Sequence, residues 1–219
     1  APPSGRLGAI TVALLTLCVF IAPWMRPDPA AMPDLMAGAV PPGAGHPFGT
    51  DQLNRDVLSR VVSGGQISLS VAGLAVLLAV TLGALVGGLA GFYGGWLDSA
   101  LMRTVDGALA IPRLFLLLLL VAVWEQMPLG ALVLVLGATG WFATSRIVRG
   151  EVLRLREAEF VLAATALGAG PGRIILRHLL PNVAGPILVA ATLGVGDVIL
   201  LEAGLSYLGI GVRPPTPSW

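Results

Sequence analysis

Residues Glu157 to Pro181 read EAEFVLAATALGAGPGRIILRHLLP, a short Ala-rich segment ending in a glycine cluster and Leu-Pro, with long apolar runs on both sides. Glu157 and Glu159 stand where the first turn of a helix is expected, and acids there favour the positive end of the helix macrodipole. Ala158, Ala163, Ala164 and Ala166 combine high helix propensity with a thin profile. Gly168, Gly170 and Gly172 then end the helix, and Pro171 suits the first turn of the next one. Ile174, Ile175, Leu179 and Leu180 lead back into apolar sequence. A polar helix isolated between membrane segments has no core of its own. Its apolar and small faces must dock on something outside the bilayer. The expected product is a short lever lying across the membrane face, hinged at both ends.

Composition sets the class. Of the 219 residues, 56% are hydrophobic and 11% charged, and the mean hydropathy is +0.88. Soluble domains carry about 25% charged residues, so the chain reads as an all-α integral membrane protein. A net charge of +1 gives no case for nucleic acid. All 13 basic residues are arginine. A phosphate-binding loop of the GxxxxGK[ST] type needs a lysine, so ATP cannot be bound that way here. With Cys18 as the one cysteine and His46 and His178 as the two histidines, expected on opposite membrane sides, no metal site is expected.

A spanning helix needs roughly 20 mostly apolar residues. The spans expected are about 7–25, 68–91, 101–124, 129–144 and 183–205, all in a single transmembrane domain over 1–219. An outer loop of about 26–65 carries an interfacial helix, and a cytoplasmic loop covers about 151–181. The first span is not read as a cleaved signal, because Pro23, Trp24 and Pro27 crowd its exit. The fifth holds Asp197 and Glu202. A mid-membrane acid costs ~3 kcal/mol, while each Leu, Ile or Val returns ~0.3–0.6. The 11 such residues between Val183 and Leu205 offset about one acid, so this span needs neighbouring helices. With the N-terminus inside, nine arginines fall on inner segments and four on outer ones, which satisfies the positive-inside rule. The tail PPTPSW from Pro214 to Trp219 reads as a loop leading to a sixth helix that lies beyond the sequence.

The segment 157–181 resembles the "EAA" coupling loop of ABC-importer permeases. Ala163, Ala164, Gly168, Leu180 and Pro181 match that pattern at its spacing, while Leu162 stands where a glutamate is expected. Arg177-His178-Leu179-Leu180-Pro181-Asn182 looks like the "RHxLPN" ending of the peptide-importer branch. His46, Gly49, Thr50, Asp51, Arg55 and Asp56 fall in a stretch similar to "HxFGTDxxGRDxLSR" of dipeptide, oligopeptide and nickel permeases, with Asn54 replacing the usual glycine. Thr50 is expected to cap the interfacial helix, whose apolar side is Leu53, Val57, Leu58, Val61 and Val62. Leu101 to Asp106 with Ala110-Ile111-Pro112 resembles the start of the family's third span, where Arg113 is unusual. Leu200 to Gly209 and Pro214 to Trp219 are similar to "LEASLSFLGLGxxPPTPSWG". The motifs occur in family order.

The resemblance implies a type I ABC-importer transmembrane domain in a bacterial cytoplasmic (inner) membrane, multi-pass, with a cytoplasmic N-terminus. It implies a second permease subunit, two ATP-binding subunits and an extracytoplasmic substrate-binding protein as partners. ATP and magnesium would sit on the ATPase subunits, with no cofactor and no catalytic residue on this chain. The coupling residues it marks are Glu157, Glu159, Ala163, Ala164, Gly168, Arg177 and His178. Asp197 and Glu202 are the translocation or gating candidates, since intramembrane acids are functional by default. Five residues apart, they point to different sides of the helix. Glu202 fits a family block and is read as packing or gating; Asp197 is the more individual feature. Peptide is the first cargo reading, nickel or another small solute the second. A secondary transporter or channel is a different class, which internal repeats would favour; none is found. Gly194-Val195-Gly196-Asp197 also matches the GxGD of intramembrane aspartyl proteases, whose chemistry needs two carboxylates sharing a proton. Asp106 is the candidate second acid on another span.

Overall fold

The computed structural model describes residues 3–21, 38–124 and 127–219. Among them the secondary structure is helical, apart from an isolated bridge between Thr50 and Asp56. The helices are α1 (Pro3–Ile21), α2 (Val57–Tyr93), α3 (Gly95–Leu109), α4 (Arg113–Val121), α5 (Leu129–Leu155), α6 (Glu159–Ala166), α7 (Pro171–Arg173), α8 (Leu180–Asn182) and α9 (Ala184–Tyr207). A π-helical stretch, Ile174–Leu179, joins α7 to α8. Two compact units divide the chain, residues 1–71 with 202–219 and residues 72–201.

Helices α2, α5 and α9 are long and apolar enough to cross a membrane, and α3 with α4 makes a fourth candidate bent by 82°. The third span expected over 101–124 thus falls on two helices with a break between them. Pro112 has no N–H for the helix ladder and disfavours helical geometry at Ile111. The chain leaves the helix at Ala110 and restarts with Pro112 at the N-cap of α4. The second span is also longer than expected. Val57, Leu58, Val61 and Val62 belong to the first turns of α2, so no separate interfacial helix forms among the described residues. The fourth runs on to Leu155, eleven residues past its expected end at Thr144. The end of the expected first span after Ile21, and the outer loop over 26–37, lie outside the described residues.

Within the unit 72–201, α2 meets α5 backbone to backbone. Gly83, Gly87 and Gly91 repeat every four residues and so share one face of α2. A Cβ on Gly83 would stand 2.6 Å from Cβ of Thr144, one on Gly87 2.9 Å from Cβ of Val148, and one on Gly91 2.9 Å from the Arg149 carbonyl oxygen. Gly137 of α5 returns the contact, since a Cβ there would lie 3.0 Å from the Ala75 carbonyl oxygen. Small residues allow this approach where lipid supplies no hydrophobic drive between helices.

Two ion pairs fix α3 against α5: Arg149 grips Asp98 at 2.5 and 2.6 Å, and Arg146 holds Asp106. Between them lies a small core of Ala90, Met102 and Val105. A second core, of Val148, Val152, Val161, Ile174, Ile175, Leu179 and Val183, joins α5 to α6 and to the segment leading into α9. The π-helical stretch follows from Pro181, which offers no N–H to the Arg177 carbonyl and would press its ring on it. The ladder widens instead, and Leu180 N–H donates to the Ile175 carbonyl five residues back.

Gly87→Val should therefore lower the unfolding midpoint in detergent by the equivalent of about 1–3 kcal/mol, the range for overpacking. Gly150→Ala, where an added Cβ meets nothing within 4 Å, should leave it unchanged or raise it by up to about 1 kcal/mol. Equal midpoints for Gly87→Val and the parent would refute the close seam.

Candidate functional site

The segment first singled out in the sequence forms α6, but Glu157 lies outside the helix. The helix begins at Glu159, with Ala158 in extended geometry at the N-cap. Of the two alanines matching the coupling pattern, Ala163 is exposed and Ala164 is buried. Ala164 and Val161 form the buried face, and Val161 shares a core with Val148 and Val152 of α5 and with Ile174, Ile175 and Leu179 of the π-helical stretch. Phe160, Leu162 and Leu167 stay exposed, at 39%, 57% and 89%. A surface helix on a globular core would hide such residues. Gly168, at φ 81°, ends α6. Ala169 N–H donates to the Ala164 carbonyl and Gly168 N–H to Thr165, the paired bonds of a Schellman turn. Pro171 opens α7 as expected. Arg177 is exposed and His178 half-buried, and the His178 carbonyl accepts from Asn182 Nδ2 at 2.6 Å.

The outer motif is a knot of hydrogen bonds, and Thr50 does not cap a helix. Its Oγ1 accepts from Val40 N–H at 2.8 Å. The cap on α2 is Asp56, whose Oδ2 accepts from Ser59 N–H at 2.8 Å and Ser59 Oγ at 2.5 Å, while His46 Nδ1 lies 3.1 Å from its other oxygen. Asp51 accepts from the N–H groups of Leu53 and Arg55 and from Arg55 Nε. Asn54 sits at φ 57°, which explains how it replaces a glycine: asparagine tolerates the left-handed region better than other side-chain-bearing residues. Gly49, at φ 71°, faces the Val40 carbonyl at a distance where no Cβ fits.

Glu202 is fully buried, and it joins the two later motifs. Ser68 Oγ donates to one carboxylate oxygen at 2.9 Å and Ser206 Oγ to the other at 2.7 Å. Ser68 Oγ also accepts from Trp219 N–H, and Trp219 Nε1 donates to the Val61 carbonyl at 2.7 Å. Gly64 and Gly65 leave room for Ser218 and the Trp219 ring. Glu202 thus seats the PPTPSW block on the start of α2. Sequence reading missed Ser68 and Trp219, because their contact links residues 151 positions apart.

Asp197, 59% exposed at its side chain, has a partner that sequence reading did not assign. Arg113 Nη1 donates to its Oδ2 at 2.6 Å. Both residues carried a signal, one as an intramembrane acid and the other as an unusual arginine, but nothing in the sequence pairs them. Asp106 lies against Arg146. Each acid of the GxGD reading thus faces its own guanidinium, unlike a proton-sharing dyad. Among the described residues no group of three or more His, Cys, Asp or Glu could hold a metal ion.

An apolar, multi-helix chain with these motifs is a membrane transport component. Residues 79–219 match the family described as binding-protein-dependent transport system inner membrane component, and the chain belongs to that family. It is 39% identical over 97% of its length to the dipeptide transport system permease protein of Bacillus subtilis, covering 66% of that protein. To the oligopeptide transport system permease protein of the same organism it is 39% identical over 97% of its length, covering 70%. To the nickel transport system permease protein of Escherichia coli it is 39% identical over 99% of its length, covering 78%.

Burial pushes the Asp51 carboxyl up, but the Arg55 amide and guanidinium and the Leu53 amide outweigh it and hold the group below its ordinary value. A depressed folded-state pKa stabilises above the unfolded value, about 4, and that contribution is lost as pH falls through the folded value. Hydrogen-exchange protection of the Leu53 and Arg55 amides, corrected for intrinsic rates, should hold from neutral pH to about 4 and then decline. Asp51→Asn should abolish the decline. Protection that is indifferent to acid in the parent would contradict this account.

Proposed function

We propose that this chain is a permease subunit of an ATP-driven importer of peptides, forming half of a translocation path and coupling to separate ATPase subunits. The observation that carries the proposal is α6. It is a short helix whose Val161 packs into the core shared by α5 and the π-helical stretch, and Phe160, Leu162, Ala163 and Leu167 stay exposed there among the described residues. Family membership supplies the context: an inner membrane component that works with a binding protein. The expected partners are a second permease, two ATP-hydrolysing subunits carrying ATP and magnesium, and an extracytoplasmic binding protein.

In this reading, a push from an ATPase on the exposed face of α6 passes through Val161 and Ala164 into Val148 and Val152 of α5, and through Ile174, Ile175 and Leu179 toward α9. A packed core transmits strain because it is dense. The membrane helices then alternate access to the path. Counting α1 and the bent α3–α4 pair as one crossing each gives five crossings. The arginine distribution then favours a cytoplasmic N-terminus and a cytoplasmic α6, at a bacterial inner membrane. Peptide is favoured by the similarity to permeases named for dipeptides and oligopeptides. Nickel is the second reading, on the similarity to a nickel permease.

Ala163 is exposed, so Ala163→Trp should fold. It should weaken recovery of the ATPase subunits on purification and reduce binding-protein-stimulated ATP hydrolysis about tenfold or more, the effect of blocking a central contact. Hydrolysis and recovery at parental levels would remove α6 from the coupling role.

A further inference from the structure

Helices α2, α4, α5 and α9 line an open cavity of about 290 Å³, with apolar groups such as Val76, Ala79 and Leu193 and two charged side chains, Arg113 and Asp197. The position of Arg113 is unfavourable in itself. It is the first residue of α4, directly after the break at Pro112, and a cation there meets the positive end of the helix dipole. Two contacts hold it: Nη1 on Asp197 at 2.6 Å and Nη2 on the Leu136 carbonyl at 3.0 Å. Its Nε is buried with no hydrogen-bond partner among the described residues. Gly140 keeps the approach open, since a Cβ there would stand 3.1 Å from Arg113 Nη2. A guanidinium and a largely exposed carboxylate therefore face the same small apolar space.

We propose that Arg113 and Asp197 form an amphoteric cargo site, which opens to take the ammonium and carboxylate groups of a zwitterionic solute such as a short unblocked peptide. This deepens the peptide-importer reading and rests on it. The argument is charge balance. Separating an ion pair away from water leaves two uncompensated charges, each costly. A zwitterion compensates both, with its ammonium on Asp197 and its carboxylate on the Nη side of the Arg113 guanidinium. A bare divalent cation compensates Asp197 alone and is repelled by Arg113. The same two residues would therefore pass peptides and discriminate against metal ions, a selectivity added to that of the binding protein.

The test uses the importer assembled with its partner subunits and binding protein in proteoliposomes, with radiolabelled dialanine as the probe. The decisive variant is the double replacement Arg113→Leu with Asp197→Leu, which leaves no unpaired charge and so keeps the fold. It should assemble normally and retain binding-protein-stimulated ATP hydrolysis, yet take up dialanine about tenfold more slowly or worse, as loss of close charge contacts predicts. Arg113→Lys with Asp197→Glu should recover much of the rate. Uptake by the double leucine variant at the parental rate would overturn the site and reduce the pair to a structural clasp. A parental complex that accumulates nickel ion but no dialanine would instead overturn the peptide reading itself.

Discussion

The unit from 72 to 201 depends on one contact: the backbone of α2, bared at Gly83, Gly87 and Gly91, lies directly against α5. In lipid the association of helices draws on close packing, so the absence of side chains at these positions is what brings the helices together. The consequences run along α5. Its Leu136 carbonyl receives Arg113, its Arg146 and Arg149 hold α3, and its Val148 and Val152 form the floor under α6. A shift of α5 would move the cavity and α6 together.

The arginines follow a second constraint. Asp98, Asp106 and Asp197 each lie against a guanidinium supplied by another helix. A charge at membrane depth is tolerated when it is paired, and the planar fork of arginine allows two-point contact of the kind Arg149 makes with Asp98. Glu202 is satisfied differently, by two serine hydroxyls, and it organises the end of α9 and the start of α2. The two acids of α9 thus serve different ends: Glu202 is sealed within packing, while Asp197 opens onto a cavity.

The segment from Phe160 to Leu167 combines opposite properties in eight residues. Val161 and Ala164 belong to the core, while Phe160, Leu162 and Leu167 face outward. Leu162 occupies the position where the family pattern has an acid, so this chain offers an apolar contact there. The Schellman turn at Gly168 and the π-helical stretch before Pro181 give the segment defined ends, and both trace to single residues: a glycine that accepts φ 81° and a proline without an N–H.

Much of this was legible in the sequence. Low charge and long apolar runs determined a helical membrane protein, because only a backbone satisfied within each segment crosses lipid. Gly168, Pro171 and the alanines marked α6, because propensity and capping are local. The ends of the helices were less legible: the break at Pro112 and the fusion of the expected interfacial helix into α2 depend on competition between proline, capping by Asp56 and continuous apolar sequence. The partners of the charges were not legible at all. Arg113 with Asp197, and Ser68 with Glu202 and Trp219, join residues 84 to 151 positions apart. The Gly83-Gly87-Gly91 repeat was present as a signal, but only the folded chain decides which helix it receives. Local propensities are written residue by residue; pairing across helices exists only once the helices have packed.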